Sequence, residues 1–381
     1  MRILHAYKIY RPDIDGGIPA AISSLAQSNE SSHHSVLAAR RFGVGRRYIE
    51  DGVPVAAVTS FGTMFSTPLA PGYVPALLRR ARSTDVLIHH APLPLNDLGI
   101  VLGLPAHVAL IIYWHADISG FPILKRFVTP LMRLALERAN RIVVSGKSMI
   151  DNSELLKPYE SKCVVLSYGI DPDYWRSPDG SEREEIEDLK RKFPRHIVSL
   201  GRLVGYKGYD VLIHAMREVD AHATIIGEGP LQPQLQDLAQ GLGVADRVHF
   251  VGRQQRDQIR QLFHSAGVFA FPSVTSAEAF GFAQVEAMAA GLPIVNTDLP
   301  TSVPLVARHD IEALTVRPAD AKALAQALNR ILDEPGLAQR LGTAGRARAT
   351  DEFDQSVYRA RMAKVYSDAL SDVQQGRAAR P

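Results

Sequence analysis

A strand, a basic loop flanked by glycines and a helix follow one another in HIVSLGRLVGYKGYDVLIHAMR, residues 196–217. His196–Leu200 is an apolar run of strand length, and Tyr209–Arg217 has the apolar spacing of a helix. The loop between them carries Arg202 and Lys207. A loop after a buried strand and before a helix presents backbone N–H groups to an anion, and the two cations add charge. The stretch therefore predicts an α/β sheet with an anion-binding loop at its carboxyl edge.

Short β-branched runs alternate with longer amphipathic stretches over almost all 381 residues. The predicted strands are Ile3–Ala6, Asp85–His89, Val108–Tyr113, Arg141–Val144, Val164–Leu166, Ile197–Leu200, Thr224–Ile226, Val248–Val251, Val268–Phe271 and Ile294–Val295. The predicted helices include Ile18–Gln27, Leu131–Ala139, Glu182–Lys192, Tyr209–Arg217, Leu231–Gly241 and Gln255–His264. Because such alternation needs right-handed crossovers, we expect an α/β protein with one parallel, Rossmann-like sheet in each half.

A change of composition marks the join between the two halves. Residues 168–181, YGIDPDYWRSPDGS, are rich in glycine, proline and acidic residues, and they predict a linker rather than a helix or strand. A chain of this length suits two domains, here 1–170 and 171–352, followed by a last segment, 353–381. Since open α/β sheets bind ligands at the carboxyl ends of their strands, we expect a cleft between the two doubly wound domains.

Two glutamates enclose the stretch EAFGFAQVE, residues 278–286. Glu278 follows the predicted strand Val268–Phe271. Phe280-Gly281-Phe282 opens a helix, which places Glu286 on its second turn among apolar neighbours. A carboxylate accepts hydrogen bonds from sugar or ribose hydroxyls, and a glycine lets a ligand approach a helix N-terminus. A Glu within a buried helix needs a partner or a ligand.

The first half offers a histidine and a pair of glycines at strand ends. His115 ends the apolar run VALIIYWH, residues 108–115, and is expected at the carboxyl edge of the sheet. There it can contact a substrate hydroxyl or orient a second substrate, and a structural role is the alternative. Gly16 and Gly17 follow the first strand, where they let a ligand approach the backbone or form an ordinary turn.

Together these motifs resemble the retaining glycosyltransferases of family 4, which have the GT-B fold of two Rossmann-like domains facing each other across a cleft. The matching residues are Gly16, Gly17, Arg202, Lys207, Glu278 and Glu286. The resemblance spans nearly the whole chain. It implies that residues 1–170 bind the acceptor and residues 171–352 bind a nucleotide-sugar donor. It also implies that residues 353–381 form a helix that crosses back to the N-terminal domain.

The resemblance assigns roles to these residues. Arg202 and Lys207 are expected to hold the donor diphosphate, Glu286 the ribose and Glu278 the transferred sugar, while His115 contributes to catalysis. The backbone N–H groups that assist the transferred sugar are those around Phe280, Gly281 and Phe282. The implied reaction retains the configuration of the sugar by front-face attack, with a phosphate oxygen accepting the proton of the acceptor hydroxyl. It requires no metal and no cofactor.

The segment Val295–Val306 departs from the Gly-Gly-x-x-Glu pattern of many family members. It resembles the subgroup that builds exopolysaccharide or O-antigen units, which implies GDP-mannose as donor and a polyprenyl-diphosphate-linked or oligosaccharide acceptor. Ser302 and Ala313 stand where that subgroup commonly has glycines. A UDP-sugar-dependent glucosyl- or N-acetylglucosaminyltransferase therefore stays open, as does a sugar-nucleotide epimerase of the same fold.

Other classes of protein find little support. Gly227-Glu-Gly229 follows a strand but lacks the third glycine of a dinucleotide site, which argues against an NAD-dependent oxidoreductase. The pairs Asp13/Asp15 and Asp171/Asp173 fit turns better than metal ligands. No nucleic-acid-binding module is visible. An inactive binding protein is disfavoured because all four charged residues of the motif are present.

Composition predicts a cytoplasmic protein. The single cysteine, Cys163, excludes an internal disulfide, and Met1–Tyr7 is expected to be the first strand rather than a signal peptide. No apolar stretch reaches the length of a transmembrane helix.

Charge is unevenly distributed along the chain. The first 170 residues carry an excess of Lys and Arg over Asp and Glu, whereas the remainder is slightly acidic. Basic clusters with aromatic neighbours fit an anionic membrane surface, here the inner face of the membrane, or a phosphate-bearing acceptor; a solvated basic face is equally open. The clusters are Arg40-Arg41-Phe42 with Arg46-Arg47, Arg79-Arg80 with Arg82, and Lys125-Arg126-Phe127.

Overall fold

The computed structural model describes residues 1–14, 16–27, 31–117 and 122–378, without the side chains of 122–125, 377 and 378. The chain divides into two compact units. Unit 1 comprises Met1–Gly169 and the segment from Ser356 onward, and unit 2 comprises Ile170–Gln355. These limits lie close to the domain boundaries expected from the sequence, and the C-terminal segment is grouped with unit 1.

Unit 1 contains an eight-stranded sheet in the order β10-β9-β8-β7-β1-β2-β4-β3. Its strands are β1 (Arg2–Ile9), β2 (His33–Ala39), β3 (Arg46–Glu50), β4 (Val53–Val58), β7 (Val86–Ala91), β8 (Ala109–Trp114), β9 (Arg141–Val144) and β10 (Cys163–Val165). A separate two-stranded hairpin is formed by β5 (Thr63–Met64) and β6 (Thr67–Pro68). The large sheet is parallel except at its edge, where β3 runs antiparallel to β4.

The parallel sheet predicted for this half is present, and β3 is added to it as an antiparallel edge strand; β2 to β4 were not predicted. The sequence Arg46–Glu50 is mostly charged, so it lacks the apolar run by which the other strands were identified. An edge strand pairs on one side only and tolerates charged side chains. It therefore needs no apolar run, and the pattern that identified the other strands is missing here.

The helices of unit 1 cover both faces of its sheet. They are α1 (Gly17–Leu25), α2 (Tyr73–Ala81), α3 (Pro94–Gly103), α4 (Pro122–Arg138), α5 (Lys147–Asp151) and α15 (Gln355–Ala378). Alternate residues of β1 point to opposite faces, because the side chains of a strand alternate. Leu4 and Ala6 join the larger apolar cluster, with α2 and α3, whereas Tyr7 joins the cluster that includes Ile22 of α1.

Unit 2 contains a six-stranded parallel sheet in the order β13-β12-β11-β14-β15-β16. Its strands are β11 (His196–Leu200), β12 (His222–Ile226), β13 (Val248–Gly252), β14 (Val268–Ala270), β15 (Ile294–Thr297) and β16 (Ala313–Val316). The first five overlap the predicted strands, and β16 was not predicted. Strands β11 and β14 are neighbours, with Ile197 in register with Val268. Loops that follow these two strands therefore leave the sheet side by side.

The helices of unit 2 are α6 (Pro172–Arg176), α7 (Arg183–Lys192), α8 (Tyr209–Ala215), α9 (Gln232–Gly241), α10 (Arg256–Ser265), α11 (Phe282–Ala290), α12 (Val303–Val306), α13 (Ala321–Asp333) and α14 (Pro335–Glu352). The core of unit 2 is an apolar cluster from the central strands, α8 and α13. Throughout the described part of the chain, no helix combines the length and the apolar character needed to cross a membrane.

The structure corrects the prediction that residues 168–181 form a linker without a helix. This segment contains α6, whose first turn is capped by the Asp171 carboxylate accepting the Tyr174 N–H at 3.1 Å. Trp175 of α6 is 1% exposed. An Asp at the N-cap followed by Pro at the first helical position is a helix-start signal, and the buried indole ring fixes the helix in unit 2. Composition alone concealed this because the same residue types also form turns.

Candidate active site

The loop that carries Arg202 and Lys207 follows β11 and packs against the loop that follows β12. The Leu203 N–H donates to Glu228 O at 3.0 Å, and the Leu231 N–H donates to Leu203 O at 3.2 Å. Side chains at Gly227 or Gly229 would overlap the backbone of the first loop. These glycines therefore serve close packing of two backbones, which explains an incomplete dinucleotide motif in the sequence.

Lys207 forms an ion pair with Glu278. Lys207 Nζ lies 2.5 Å from Glu278 Oε2, and the two side chains are 13% and 11% exposed. The ammonium group also lies 5.0 Å from the centre of the Phe271 ring. These residues lie in the loops that follow the neighbouring strands β11 and β14, so sheet topology brings them together. Two of the predicted site residues thus contact each other directly.

Glu278 also accepts a hydrogen bond from a residue of its own loop. Ser273 Oγ donates to Glu278 Oε2 at 3.1 Å, and Thr297 Oγ1 of β15 donates to Ser273 O at 2.6 Å. Both hydroxyl residues are buried. The carboxylate is therefore fixed by an ammonium and a hydroxyl, while its second oxygen has no partner among the described residues.

Arg202 differs from Lys207 because it is exposed and makes no ion pair with any described residue. Burial raises the pKa of the Tyr206 hydroxyl. The negative charge of Glu278 also raises this pKa, whereas the positive charges of Lys207 and Arg202 lower it. Arg202, Lys207 and Glu278 thus all act on the pKa of Tyr206, which lies in the same loop as Arg202 and Lys207. A guanidinium without a carboxylate partner, beside an ammonium, can bind a phosphate through two parallel N–H donors.

Helix α11 begins beside this ion pair, at Gly281. Gly281 has φ 86° at the N-cap, and a Cβ there would lie 2.8 Å from the Phe271 ring, so this position requires glycine. Phe280 is buried, and its ring packs edge-on against Phe282 at 5.4 Å. As predicted, a glycine opens the helix between these two aromatic residues.

A buried amide network holds this helix start in place. Gln284 Nε2 donates to Phe280 O at 3.0 Å and to Val303 O at 3.1 Å. Asn296 Nδ2 donates to Gln284 Oε1 at 3.2 Å and to Ala307 O at 2.8 Å. Each bond satisfies a polar group that burial would otherwise leave unpaired, so the network fixes the backbone at Phe280.

Glu286 lies on the second turn of α11 and is half-buried. Burial raises the pKa of its carboxyl to about 7, and Arg256 opposes that effect. Among the described residues, no side chain hydrogen-bonds to this carboxylate and none of the other predicted site residues contacts it. It is an acceptor held in a low-polarity environment without a protein donor, as expected of a ligand-binding group.

In unit 1, four histidines from four adjacent strands form a hydrogen-bonded row, here called the histidine row. His34 Nδ1 lies 3.0 Å from His5 Nε2, His5 Nδ1 lies 3.1 Å from His90 Nε2, and His90 Nδ1 lies 2.9 Å from His115 Nε2. His115 Nδ1 completes the row at 2.5 Å from the Tyr168 hydroxyl. Neighbouring rings are stacked, with centroids 5.1–5.4 Å apart.

Strand register builds this row. His5 stands two residues beyond the partner of His34, His90 two beyond the partner of His5, and His115 two beyond the partner of His90. Side chains two residues apart share a face of the sheet, so the row climbs diagonally to the carboxyl edge. A neutral imidazole has one donor and one acceptor nitrogen. All bonds of the row must therefore run in the same direction.

His115 has both ring nitrogens engaged and is 3% exposed. Burial lowers its pKa to about 3, with a smaller effect of His89. From the sequence, His115 could contact a substrate hydroxyl or orient a second substrate; in this geometry a hydrogen bond to a substrate requires one internal hydrogen bond to break. The arrangement suits a group that acts by holding Tyr168 and the end of β8 in place.

The glycine pair and the basic cluster of unit 1 lie where the sequence placed them. Gly16 is exposed at the N-cap of α1, with φ 147°, and Gly17 is the first residue of that helix. Asp13 is engaged by Arg40 at 2.6 Å and by Arg46 at 3.2 Å. Two of the four arginines of the predicted cluster Arg40, Arg41, Arg46 and Arg47 thus share one carboxylate within the protein.

Of the aspartate pairs considered as metal ligands, Asp13 pairs with arginines and Asp171 caps a helix. Asp15 lies outside the described residues. Elsewhere in the described ranges, no group of three or more His, Cys, Asp or Glu side chains is placed to hold a metal ion.

Sequence reasoning missed the residues that hold the site together. They are Phe271, Ser273, Gln284, Asn296, His5, His34, His90 and Tyr168. A buried polar residue in an apolar run was the available signal for Gln284, which stands in FAQVEAMAA. The histidine row offered a weaker one, since its members share a face only once the strand pairing is known.

Comparison with known proteins places this site in a family. Residues 181–348 match the family described as Glycosyl transferases group 1. The chain is 28% identical to the D-rhamnosyltransferase WbpZ of Pseudomonas aeruginosa over 366 residues, covering 93% of this chain and 92% of the relative. It is 26% identical to the O-antigen chain mannosyltransferase C of Escherichia coli over 373 residues, covering 93% and 94%.

Solved structures with the same fold include sucrose-phosphate synthase from Thermosynechococcus elongatus, with a TM-score of 0.81 at 19% identity, covering 97% of this chain and 99% of that one. Anabaena HepE, solved in complex with UDP-glucose, aligns with a TM-score of 0.75 at 18% identity, covering 96% and 99%. Both likenesses identify the fold as GT-B.

The amylovoran biosynthesis glycosyltransferase AmsK of Erwinia amylovora is 31% identical over 319 residues, which cover 80% of this chain and 75% of the relative. Similarity of this extent, together with the matched family region, establishes membership. The chain belongs to the group 1 glycosyltransferases.

Proposed function

We propose that this protein is a retaining, metal-independent hexosyltransferase of family 4 that acts in the synthesis of a cell-surface polysaccharide. Unit 2 takes a nucleotide diphosphate sugar, and unit 1 takes a lipid-linked or oligosaccharide acceptor. The observation that carries the proposal is the Lys207–Glu278 ion pair beside the unpaired Arg202. This arrangement holds two cations at the end of a parallel strand, with a carboxylate whose second oxygen is free.

In this proposal the two cations stabilise the diphosphate leaving group. When the bond between sugar and diphosphate breaks, negative charge accumulates on the phosphate oxygens. Arg202 can donate two parallel hydrogen bonds to them and Lys207 can add a point charge. Fixed donors of this kind stabilise a developing charge without reorganising, and they are usually the largest contribution to such a reaction.

In this proposal the two carboxylates bind the sugar and the ribose, which lie at opposite sides of the donor diphosphate. Glu278 keeps one oxygen free to accept a bond from a sugar hydroxyl, because Ser273 and Lys207 occupy the other. Glu286 has no protein donor and can accept from the ribose hydroxyls. Backbone N–H groups at the start of α11, where Gly281 is the N-cap, assist the transferred sugar.

In the proposal, retention results from front-face attack, in which no protein nucleophile takes part. The acceptor hydroxyl attacks the anomeric carbon from the side on which the diphosphate leaves, and a phosphate oxygen takes its proton. The C–O bond to the acceptor forms as the C–O bond to the diphosphate breaks, so charge and atoms balance. NMR of the purified product would test this step, because an inverted anomeric configuration would contradict it.

We favour GDP-mannose as the donor because one relative is named a mannosyltransferase and the Val295–Val306 segment resembles that subgroup. A UDP-sugar donor is the second candidate, favoured by the fold shared with a protein solved with UDP-glucose. A polyprenyl-diphosphate-linked acceptor would place the reaction in the cytoplasm at the inner face of the membrane. The exposed Phe42, which follows Arg41 in the chain, supports such a peripheral association.

A thermal-shift screen tests the donor site. The ligands are GDP, UDP, ADP, GDP-mannose, UDP-glucose and NAD, each with and without EDTA. A nucleotide at one hundred times its Kd adds about 2.7 kcal/mol to the free energy of unfolding. We expect one nucleotide diphosphate to give a shift that survives EDTA, disappears in Lys207→Ala and remains in Lys190→Ala, an exposed lysine of the same unit. A shift with NAD alone, or one abolished by EDTA, would contradict the proposal.

A further inference from the structure

A hollow in unit 1 is lined by arginines from two different elements. Its volume is about 240 Å³, and its walls carry Arg46 and Arg47 of β3 and Arg79 and Arg80 from the last turn of α2. The rest of its lining, here called its floor, consists of apolar side chains and a glycine, namely Leu37, Gly45, Ala56, Ala57, Val58 and Ala76. The hollow lies at the edge of the sheet of unit 1 and contains no residue of the predicted donor site.

Three of these arginines lack a carboxylate partner. Arg46 donates to Asp13 at 3.2 Å and lies over the Tyr48 ring. In contrast, no carboxylate of the described chain lies within ion-pair distance of Arg47, Arg79 or Arg80. The half-buried Arg80 has its pKa lowered by burial first and then by Arg47 and Arg79. Arg47 and Arg79, which line the same hollow, are therefore each close enough to Arg80 to disfavour its charge.

The position of α2 explains only part of this charge. Basic side chains in the last turn of a helix are favoured by the helix dipole, which accounts for Arg79 and Arg80. Arg47 belongs to β3, which has no such dipole, and it adds a third positive charge to the same hollow. Like charges that converge without a counter-charge cost free energy unless an anion joins them.

We propose that this hollow binds a phosphoryl group, as a phosphate ester or a diphosphate. Guanidinium groups match phosphate oxygens through parallel N–H donors, and three of them around one hollow can satisfy a doubly charged anion. The volume suits a phosphate or a diphosphate, since pockets for whole drug-sized ligands begin at about 300 Å³. The apolar floor accommodates the carbon chain attached to such a group.

This site would give a phosphate-bearing acceptor a contact on unit 1, separate from the donor contacts on unit 2. That role rests on the proposed function, whereas the binding of a phosphoryl group does not. Two sources share this chemistry: the phosphate of a soluble or prenyl-linked acceptor, and the headgroup of an anionic lipid. The experiment therefore has one arm for each.

The first arm titrates the full chain with inorganic pyrophosphate in a calorimeter at 0.15 M salt. An Arg202→Ala/Lys207→Ala background removes the donor contacts, so the remaining binding reports on unit 1. Arg80→Gln should weaken this binding roughly tenfold or more, as expected when a charged hydrogen-bond donor is lost. Arg82→Gln is the matched control, because this exposed arginine follows the same helix and does not line the hollow. It should leave the affinity within about twofold.

The second arm measures flotation with vesicles of phosphatidylcholine, with or without phosphatidylglycerol. Capture by the anionic vesicles that Arg80→Gln abolishes and Arg82→Gln does not would identify a lipid headgroup. Pyrophosphate binding without capture would identify a soluble or acceptor phosphate. The proposal is overturned if neither probe binds, or if Arg82→Gln weakens binding as much as Arg80→Gln. These outcomes do not depend on turnover, so an inactive wild-type enzyme would contradict the proposed function alone.

Discussion

Lys207 and Glu278, which are 71 positions apart in the chain, form one buried ion pair with 2.5 Å between Nζ and Oε2. Each charge of the pair is compensated by the other within unit 2. In the proposed function, a donor diphosphate competes with Glu278 for Lys207, and a sugar hydroxyl bonds to the second oxygen of the carboxylate. The ion pair is a structural contact and, in that proposal, also a binding site.

A double-mutant cycle tests this pair. Lys207→Met should lower the free energy of unfolding of unit 2 by about 3 kcal/mol, because it leaves the Glu278 carboxylate buried and uncompensated. Glu278→Gln alone leaves the ammonium uncompensated, whereas the double variant removes both charges and should be more stable than the sum of the single effects. Urea unfolding gives these values. Additive effects would show that the two charges are independently solvated.

Glu286 predicts a pH dependence of donor binding. Its pKa of about 7, raised by burial, means that the carboxylate forms only as the pH rises through neutrality. We expect the affinity for a nucleotide sugar to increase between pH 6 and 8 and to lose this dependence in Glu286→Gln, at a cost of roughly fivefold to tenfold at pH 8. Calorimetry with the nucleotide sugar avoids the terminal phosphate of a free diphosphate, which titrates near 6. A pH-independent affinity in the wild type would contradict the role of Glu286.

The same raised pKa has a defined effect on stability. The folded carboxyl retains its proton above the pKa of the unfolded chain, about 4.3, so the folded state binds more protons between that pH and about 7. The contribution of Glu286 to stability is therefore present at low pH and is lost as the pH rises through this window. Glu286→Gln should remove this component.

Two glycines of the loop that carries Arg202 and Lys207 should respond differently to substitution by alanine. Gly208 has φ 67°, and a side chain there would overlap Pro272 O, whereas Gly205 has open space around its Cβ position and no positive φ. Gly208→Ala should destabilise unit 2 by about 1–2 kcal/mol from the backbone conformation alone, and by more from the overlap. Gly205→Ala should be close to neutral. Thermal unfolding with and without nucleotide measures both effects, and equal shifts would show that the loop adapts.

The histidine row predicts that unit 1 is sensitive to acid. Burial lowers the pKa of His115 to about 3 and of His34 to about 4, and it places those of His5 and His90 well below the usual value. The unfolded chain takes up these protons below about pH 6.5 and the folded row does not. The free energy of unfolding should therefore fall as the pH falls from about 6.5 to 4, by up to about 1.4 kcal/mol per pH unit and histidine.

Two variants of His90 separate titration from hydrogen bonding. His90→Gln keeps one donor and one acceptor for His5 and His115, so it should reduce the pH slope by one proton while retaining most of the stability at pH 7. His90→Leu leaves both neighbours unpaired and should cost about 2 kcal/mol or more. The exposed His214→Gln, on a helix of unit 2, is the control. Urea unfolding at pH 5, 6 and 7 supplies the values, and a flat pH profile would show that the row titrates freely.

Much of the local structure around the proposed donor site was predictable because its signals are local. The strand, the glycine-flanked loop and the helix around Arg202 and Lys207 are formed by consecutive residues. The helix start at Gly281, with Glu286 on the second turn, is likewise indicated by consecutive residues. The sequence also predicted most strands of unit 2, whose apolar runs are short and bounded by turn residues. It failed at α6, where helix-start and linker residues are the same types, and at β3, where the edge position replaced apolar residues with charged ones.

The sequence by itself determined which residues are available: the charged groups of the donor loop, the helix start at Gly281 and the alternation that makes two α/β sheets. Only the tertiary structure decided which of them meet. Strand order joins Lys207 to Glu278, since β11 and β14 are neighbours although two strands separate them in the chain. Strand register aligns His34, His5, His90 and His115, and it leaves both nitrogens of His115 occupied. Pairing between strands depends on the packing of distant segments, which local periodicity does not encode.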